Sequence, residues 1–294
     1  MEWVARVEGL RQWKRGDQRA PHKPLLMLLA LGRFQRGHDG PLPYREVEGE
    51  LDVLLREYGP PRATSPGYPF HYLTSDGVWE VRTETGHESP GAGRRALRES
   101  GAEGRLAPEL RKALERDPVL LGRLAHTLLD DNFPPTLHAD IAAEAGLDLD
   151  AADLARRVCA TRLVRNPVRA RQMREMVLDA YELRCAFCGF DGAVGGRPVG
   201  LEAAHVQWWA HQGPDEPSNG LCLCSLHHKL FDRGALGIDG ELRITVSQRF
   251  AGRAPAAHTQ VHGLVGRPVA TPRDSAGALA MTRVEWHARQ VFRL

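Results

Sequence analysis

Little in this sequence is long or uniform, and each shortage excludes something. No apolar run approaches the roughly 18 to 20 residues that a membrane span needs, and the start Met1-Glu2-Trp3 lacks the basic-then-apolar build of a signal peptide. A cytoplasmic protein is expected. Bulk charge is missing too: 39 basic and 37 acidic side chains leave a formal charge of only +2. The overall field therefore neither demands nor excludes a nucleic-acid partner, and distribution has to decide. Cysteine is scarce, five in 294 residues, which is too few for a disulfide-stapled scaffold. Four of the five crowd in pairs between 185 and 224, and in a reducing compartment such pairs are thiolate ligands rather than disulfides. No internal repeat is found.

What remains is length enough for two ordinary domains, each able to bury its own core. Residues 24 to 34 (PLLMLLALGRF) are apolar on almost every face, with Pro24 suited to a first helical turn and Gly37 just past the end. A buried central helix is predicted there. Val47, Leu51, Leu54 and Tyr58 keep a helical period up to the stop at Gly59-Pro60-Pro61, which predicts a second, amphipathic helix over 45 to 58. His71-Tyr72-Leu73, the turn Ser75-Asp76-Gly77 and Val78-Trp79-Glu80-Val81 have the pattern of a short hairpin. From residues alone, Tyr68-Pro69-Phe70 is an extended entry into it. Residues 83 to 105, rich in Gly, Ser, Glu and Arg, are expected to form a loop that carries Arg94 and Arg95. Helical periodicity returns at 108 to 114 and 119 to 129.

This order of elements gives an α+β fold: a winged-helix-like, helical N-terminal domain over 1–150, a basic helical linker over 151–175, and a C-terminal domain over 176–294. Two helices, 151 to 164 and 168 to 183, are expected to lead into the cysteine-rich part. Between residues 151 and 184 eight arginines stand against four acids, an excess of +4 that can face phosphate or simply solvate a helix face. Cys159 is expected to be a small buried apolar side chain.

Cys185-x-x-Cys188 and Cys224-x-x-His227 have the spacing of a closed tetrahedral zinc site, since a tight turn joins two thiols and residues i and i+3 of a helix share a face. Such a site is a scaffold. A redox role for the first pair would need a βαβ setting that is not visible. Cys222 lies close enough that spacing alone leaves it open as the third thiolate, although the Cys-x-x-His spacing favours Cys224.

The stretch 201 to 209 (LEAAHVQWW) should be a strand or hairpin arm, and 219 to 234 a loop running into a helix. In the order β, loop, α this places His205, Asn219 and His228 together, Asn219 fourteen positions after His205 and His228 nine positions further on. A neutral histidine can take a proton from water, and a divalent ion can stabilise a pentacovalent phosphate. His205 fits the base. Neighbouring helical residues point about 100° apart, so His227 can serve the zinc while His228 reaches a second ion. Trp208 and Trp209 are expected to pack against the zinc knot rather than stack on bases. Lys229 and Arg233 lie on the same helix as His228 and could meet phosphate. His38, His126 and His211 are taken as ordinary. Residues 241 to 246 are expected to be a strand and the region of Trp286 a closing helix or strand, with no functional motif.

Through Cys-x-x-Cys, Glu202-x-x-His205, Asn219 and Cys-x-x-His-His, residues 180 to 240 resemble the HNH (ββα-metal) endonuclease family. The resemblance implies His205 as general base, Asn219 as the residue that positions its loop, and His228 as a ligand of a catalytic Mg2+ or Mn2+. One departure stands out: many members place an acid or histidine immediately before the base, where this chain has Ala204. Glu202 lies on the same side of the strand as residue 204, and its longer arm makes it the candidate second ligand.

Arg19-Ala-Pro-His22-Lys23-Pro24, Tyr68-Pro69-Phe70 and Asp76-Gly77-Val78-Trp79-Glu80 resemble the sulfur-binding domain of type IV, McrA-type restriction endonucleases. That implies recognition of double-stranded, phosphorothioated DNA, with the rings of Tyr68 and Pro69 forming a pocket wall, His22 and Lys23 near the modified phosphate, and Arg94 and Arg95 addressing the groove. Double-strand cutting would call for a homodimer. Two rival readings remain: a non-catalytic zinc-containing DNA-binding module, favoured by Ala204, and an HNH nicking or homing-type nuclease indifferent to sulfur.

Overall fold

A computed structural model describes the chain except residues 1, 13–17, 39, 152–166 and 275–276. It divides into two compact units, Met1–Arg162 and Leu163–Leu294. The expected helix over 151 to 164 and Cys159 lie outside the described residues.

The N-terminal unit is built around its most apolar segment. Helix α2 (His22–Gln35), which follows the short α1 (Glu2–Glu8), buries every residue from Lys23 to Gly32, as a stretch without a polar face must. Around it pack α3 (Tyr44–Tyr58), α4 (Gly67–Tyr72), α7 (Pro118–Asp130) and α8 (Pro135–Ala145). α3 turns Tyr44, Val47, Leu51, Leu54, Leu55 and Tyr58 inward at helical spacing, and Asp117 caps α7 by accepting from Val119 N at 3.0 Å. α5 (Arg94–Glu99) and α6 (Pro108–Arg116) complete the helices of this unit that the structure describes. Strands β1 (Leu42–Pro43), β2 (Trp79–Arg82) and β3 (Glu103–Leu106) form one antiparallel sheet in the order β1-β3-β2, with Leu42 opposite Gly104 and Trp79 opposite Leu106.

Two local expectations are overturned. Residues 68 to 76 form no hairpin arm: α4 runs into a 3-10 turn over Leu73–Asp76, and β2 pairs with β3 instead. Gly77 does adopt positive φ (69°), but it terminates a helical segment rather than turning a hairpin. A left-handed glycine serves both purposes, so its presence cannot tell them apart. The choice is made by Phe70 and Leu73, which are three apart and fully buried, and by Asp76, drawn inward by Lys23. The expected loop over 83 to 105 also contains structure, because Leu97 is fully buried and anchors α5, and β3 supplies the centre of the sheet.

In the C-terminal unit, α9 (Pro167–Ala180) lays Met173, Val177 and Leu178 against the antiparallel pair β6 (Leu201–His205) and β7 (Gly220–Cys224). A minor hairpin, β4 (Ala193–Val194) and β5 (Arg197–Pro198), precedes them. Helix α10 (Ser225–Asp232) follows β7 directly. Beyond it come the hairpin β8 (Leu236–Ile238) and β9 (Ile244–Val246), α11 (Pro255–Gln260) and α12 (Met281–Gln290). The β6-β7 register pairs Leu201 with Cys224 and His205 with Gly220. That register sets the site, because it brings the end of β6 beside the loop that returns into β7 and leaves α10 packed against both strands. No described helix is long and apolar enough to cross a membrane.

Candidate active site

The side chains of Cys185, Cys188, Cys224 and His227 converge, with their ligand atoms all within 4.8 Å of one another. A metal with bonds near 2.3 Å to sulfur holds tetrahedral ligands about 3.8 Å apart, so the set needs little adjustment to close on one ion. His227 turns Nδ1 toward the sulfurs, 3.2 Å from Cys224 Sγ and 3.5 Å from Cys185 Sγ, and its Nε2 lies 2.7 Å from the backbone carbonyl of Gln260. That outer bond fixes the ring and frees Nδ1 to bind. Hydrogen bonds from Cys188 and Cys224 pull the Cys185 thiol far below its ordinary pKa. Cys222 behaves oppositely: burial, with the Cys185 charge nearby, pushes its thiol up to about 12. It stands outside the cluster, which leaves Cys224 as the third thiolate.

His205, at the last position of β6, and Asn219, in the turn before β7, meet through the loop between them. Asn219 is fully buried. Its Oδ1 accepts from Gln207 N at 2.8 Å, and its Nδ2 donates to Gln207 O and to Pro214 O, both at 3.0 Å. A buried amide with these bonds satisfied cannot rotate without loss, so it clamps both arms of the loop.

His228 sits on α10 between two carboxylates, with Nδ1 2.7 Å from Glu202 Oε2 and Nε2 3.2 Å from Asp232 Oδ2. Burial opposes its charge, but Asp232 and Glu202 overcome that cost and push its pKa up to about 10. The reciprocal hydrogen bond from His228, helped by Ser225 Oγ donating to Glu202 Oε1 at 2.6 Å, draws Glu202 down to about 2. Glu202 Oε2 and His228 Nδ1 thus face one another directly, close enough that both could be ligands of one small divalent ion. Asp232 on Nε2 completes the carboxylate-histidine arrangement that orients metal-binding imidazoles. Ala204 is fully buried and offers nothing.

Several supporting residues have no motif. Asp232 accepts from Trp208 Nε1 at 3.1 Å, and Trp208 packs edge-on against Trp286 of α12 at 5.9 Å. Trp208 is therefore a buried link between α10 and α12, while Trp209 is half exposed. His287 stacks on Phe231 with centroids 3.7 Å apart. The segment after 241 thus supplies the backing of the site as well as the carbonyl that holds His227. Lys229 is exposed on α10, and Arg233 is partly buried just past it.

In the N-terminal unit, His22 and Lys23 open α2, and Tyr68 and Pro69 lie in α4, which packs against it. Burial, with Arg19 alongside, lowers the His22 pKa to about 4, and its Nε2 is buried without a hydrogen-bond partner. Lys23 Nζ is committed to Asp76 Oδ2 at 2.5 Å, and Asp76 also receives the backbone N–H of Arg11 at 3.0 Å. Pro69 is buried, whereas Tyr68 is half exposed and leans on Tyr72 with centroids 5.6 Å apart. Arg94 is less free than a groove-reading arginine should be, since it bonds Glu48 at 2.6 Å and Asp52 at 2.9 Å. Arg95 is 88% exposed and makes only a surface pair with Glu99.

A strand pair with a histidine at its rim, closed by a helix that carries a second histidine, is the frame of the ββα-metal nucleases, and residues 185–239 match the HNH endonuclease family model. The chain belongs to the family described as ScoMcrA-like, DNA sulfur-binding domain, whose model matches residues 1–150. Among solved structures it is similar to the modification-dependent TagI restriction endonuclease, at 29% identity over 45% of this chain and 41% of that one, with a TM-score of 0.34. It is also similar to the sulfur-binding domain of SprMcrA complexed with phosphorothioated DNA, at 26% identity over 51% of this chain and 94% of that one, TM-score 0.44. The corresponding ScoMcrA domain complex gives 21% identity, 49% and 98% coverage, and a TM-score of 0.40. The matched stretch thus spans less than half of the TagI chain. No curated protein matches the chain.

Proposed function

We propose that this protein is a modification-dependent, type IV restriction endonuclease that docks on phosphorothioated double-stranded DNA and hydrolyses a phosphodiester nearby. The observation that carries the reading is one chain holding both a sulfur-binding family domain and the His205-Asn219-His228 constellation backed by Glu202 and Asp232. On this reading Zn2+ sits at Cys185, Cys188, Cys224 and His227 as a fold staple. A Mg2+ or Mn2+ ion held by Glu202 and His228 would stabilise charge on the phosphate and the leaving 3′-oxygen. His205 takes the proton from the attacking water, and Asn219 keeps the loop that carries it in place. For His228 to bind an ion its Nδ1 proton must leave to solvent, the ring keeping its proton on Nε2 against Asp232 while Glu202 stays ionised as the second ligand.

Recognition rests on the chemistry of sulfur, which is larger and softer than oxygen and a poorer hydrogen-bond acceptor. An apolar wall of Tyr68 and Pro69 beside the uncharged His22 desolvates sulfur cheaply, while an oxygen buried there unpaired would cost roughly 1 to 3 kcal/mol. Lys23, held by Asp76, would contribute shape and local charge, and Arg95 is better placed than Arg94 to reach a groove. A winged-helix-like docking mode and a cytoplasmic site of action belong to the same proposal. A homodimer would supply the second cut.

The second reading, a non-catalytic binding module, is favoured by Ala204. One experiment separates them: matched duplexes with and without phosphorothioate, incubated with Mn2+ or EDTA, using wild type and His205→Ala. Sulfur-dependent cutting that His205→Ala abolishes is the expected result. Binding without cutting would establish the module, and equal cutting of both duplexes would establish a nuclease indifferent to sulfur.

A further inference from the structure

The loop that Asn219 clamps contains an acid that has no part in the chemistry proposed so far. Asp215 Oδ1 lies 2.9 Å from His205 Nε2, and both side chains are about three-quarters covered, at 25% and 26% exposure. The partners are ten residues apart in a segment with no regular strand between them, so their meeting has to be imposed by the loop. It is imposed at both ends. Asn219 bonds the backbone of Gln207, two residues after the histidine, and the carbonyl of Pro214, immediately before the aspartate. Gly213 lets the two arms close: a Cβ there would come within 1.8 Å of Gln207 O and 2.8 Å of Asn219 Nδ2. One buried amide therefore fixes the backbone on either side of the His205-Asp215 contact.

The contact decides which nitrogen of His205 does chemistry. A neutral imidazole carries one N–H and one lone pair, and an ionised carboxylate only accepts. With Asp215 at Nε2 the proton belongs on Nε2, where it donates to the carboxylate, and the lone pair is left on Nδ1 to take a proton from water. Once that proton has been taken, the carboxylate also stabilises the imidazolium. We propose that Asp215 is the positioning residue of His205, fixing its tautomer and its ring orientation for attack. This rests on His205 being the general base, and it sharpens the role of Asn219, whose amide then holds a dyad and not merely a loop.

Two measurements on the full chain test this. In the first, histidine 15N resonances of the wild type are read in the absence of DNA, with His205→Ala supplying the assignment. His205 is expected as the Nε2–H tautomer, becoming a mixture in Asp215→Ala; an Nδ1–H tautomer in the wild type overturns the proposal without any reference to cutting. In the second, wild type, Asp215→Asn, Asp215→Glu, His205→Ala and the double variant His205→Ala/Asp215→Asn cut plain and phosphorothioated duplexes with Mn2+. Asp215→Asn is expected to lose on the order of 100-fold in kcat or more, as a base held in the wrong tautomer does, with KM within about twofold and partial rescue by Asp215→Glu. In the double variant the Asp215 change should cost nothing further. Cutting by Asp215→Asn within twofold of wild type, while His205→Ala is dead, overturns the role of Asp215 alone. Cutting by His205→Ala at the wild-type rate overturns the base assignment and this proposal with it.

Discussion

At the scale of single residues, the proposed role of Glu202 as a metal ligand can be tested directly. The position before the base is Ala204, fully buried, yet Glu202 comes round to His228 Nδ1 at 2.7 Å and is held there by Ser225. Glu202→Gln keeps the length and the Ser225 bond and removes only the charge. Cutting should fall by on the order of 100-fold and the Mn2+ concentration needed for half-maximal rate should rise; an unchanged Mn2+ titration would sink the assignment. His22 makes a different prediction, about stability. Its folded pKa, about 4, lies below the ordinary 6.5, so the unfolded chain binds a proton that the folded one refuses. The associated stability is complete above about pH 6.5 and is lost as pH falls toward 4, a difference on the order of 3 kcal/mol. Urea unfolding at pH 7 and pH 4.5 should therefore show a shallower acid loss in His22→Gln than in wild type, the comparison separating this histidine from the acid-labile thiolates.

At the scale of elements, the loop from His205 to Asn219 is the most demanding piece of backbone. Gly213→Ala must push Gln207 and Asn219 apart, so it should cut at least about tenfold more slowly than wild type while binding a phosphorothioated duplex normally; full activity would show that the loop can shift. Elements with strong periodicity were legible in the sequence. The apolar run at 24 to 34 lies inside His22–Gln35, and the amphipathic one at 45 to 58 nearly coincides with Tyr44–Tyr58. The β-loop-α order around His205 and His228 was legible from residue spacing. What spacing could not show was any role carried by backbone or by distant packing. Gln260 acts through its carbonyl, and Trp286 and His287 act through stacking, so the stretch after 241 had no motif to find. Asp232 did leave a trace, four residues past His228 on the same helical face. Asp215 left none, since only a folded loop brings it to His205. The hairpin predicted at 71 to 81 failed because one glycine conformation serves both helix ends and turns.

For the whole molecule, the proposed function divides recognition and cutting between two compact units. The C-terminal unit brings together four residues that could hold one metal ion, three cysteines and a histidine, and apparent binding energies of structural zinc are on the order of 10 kcal/mol, comparable to the whole stability of a domain. The N-terminal unit has an apolar core of its own around α2, and among its described residues no metal-binding group is found. A strong chelator should therefore abolish cutting and open the C-terminal unit to protease, while the chelated chain still binds a phosphorothioated duplex within about threefold of the native affinity. Zinc without Mn2+ should restore protease resistance but not cutting, and Mn2+ added afterwards should restore both. Tyr68→Ala gives the mirror image: preference for the phosphorothioated duplex falls by about tenfold or more, while the C-terminal unit keeps its protease resistance and its metal. If chelation removed DNA binding as well, the zinc-held unit would have to contribute to recognition, and the division of labour drawn from the two units would fail.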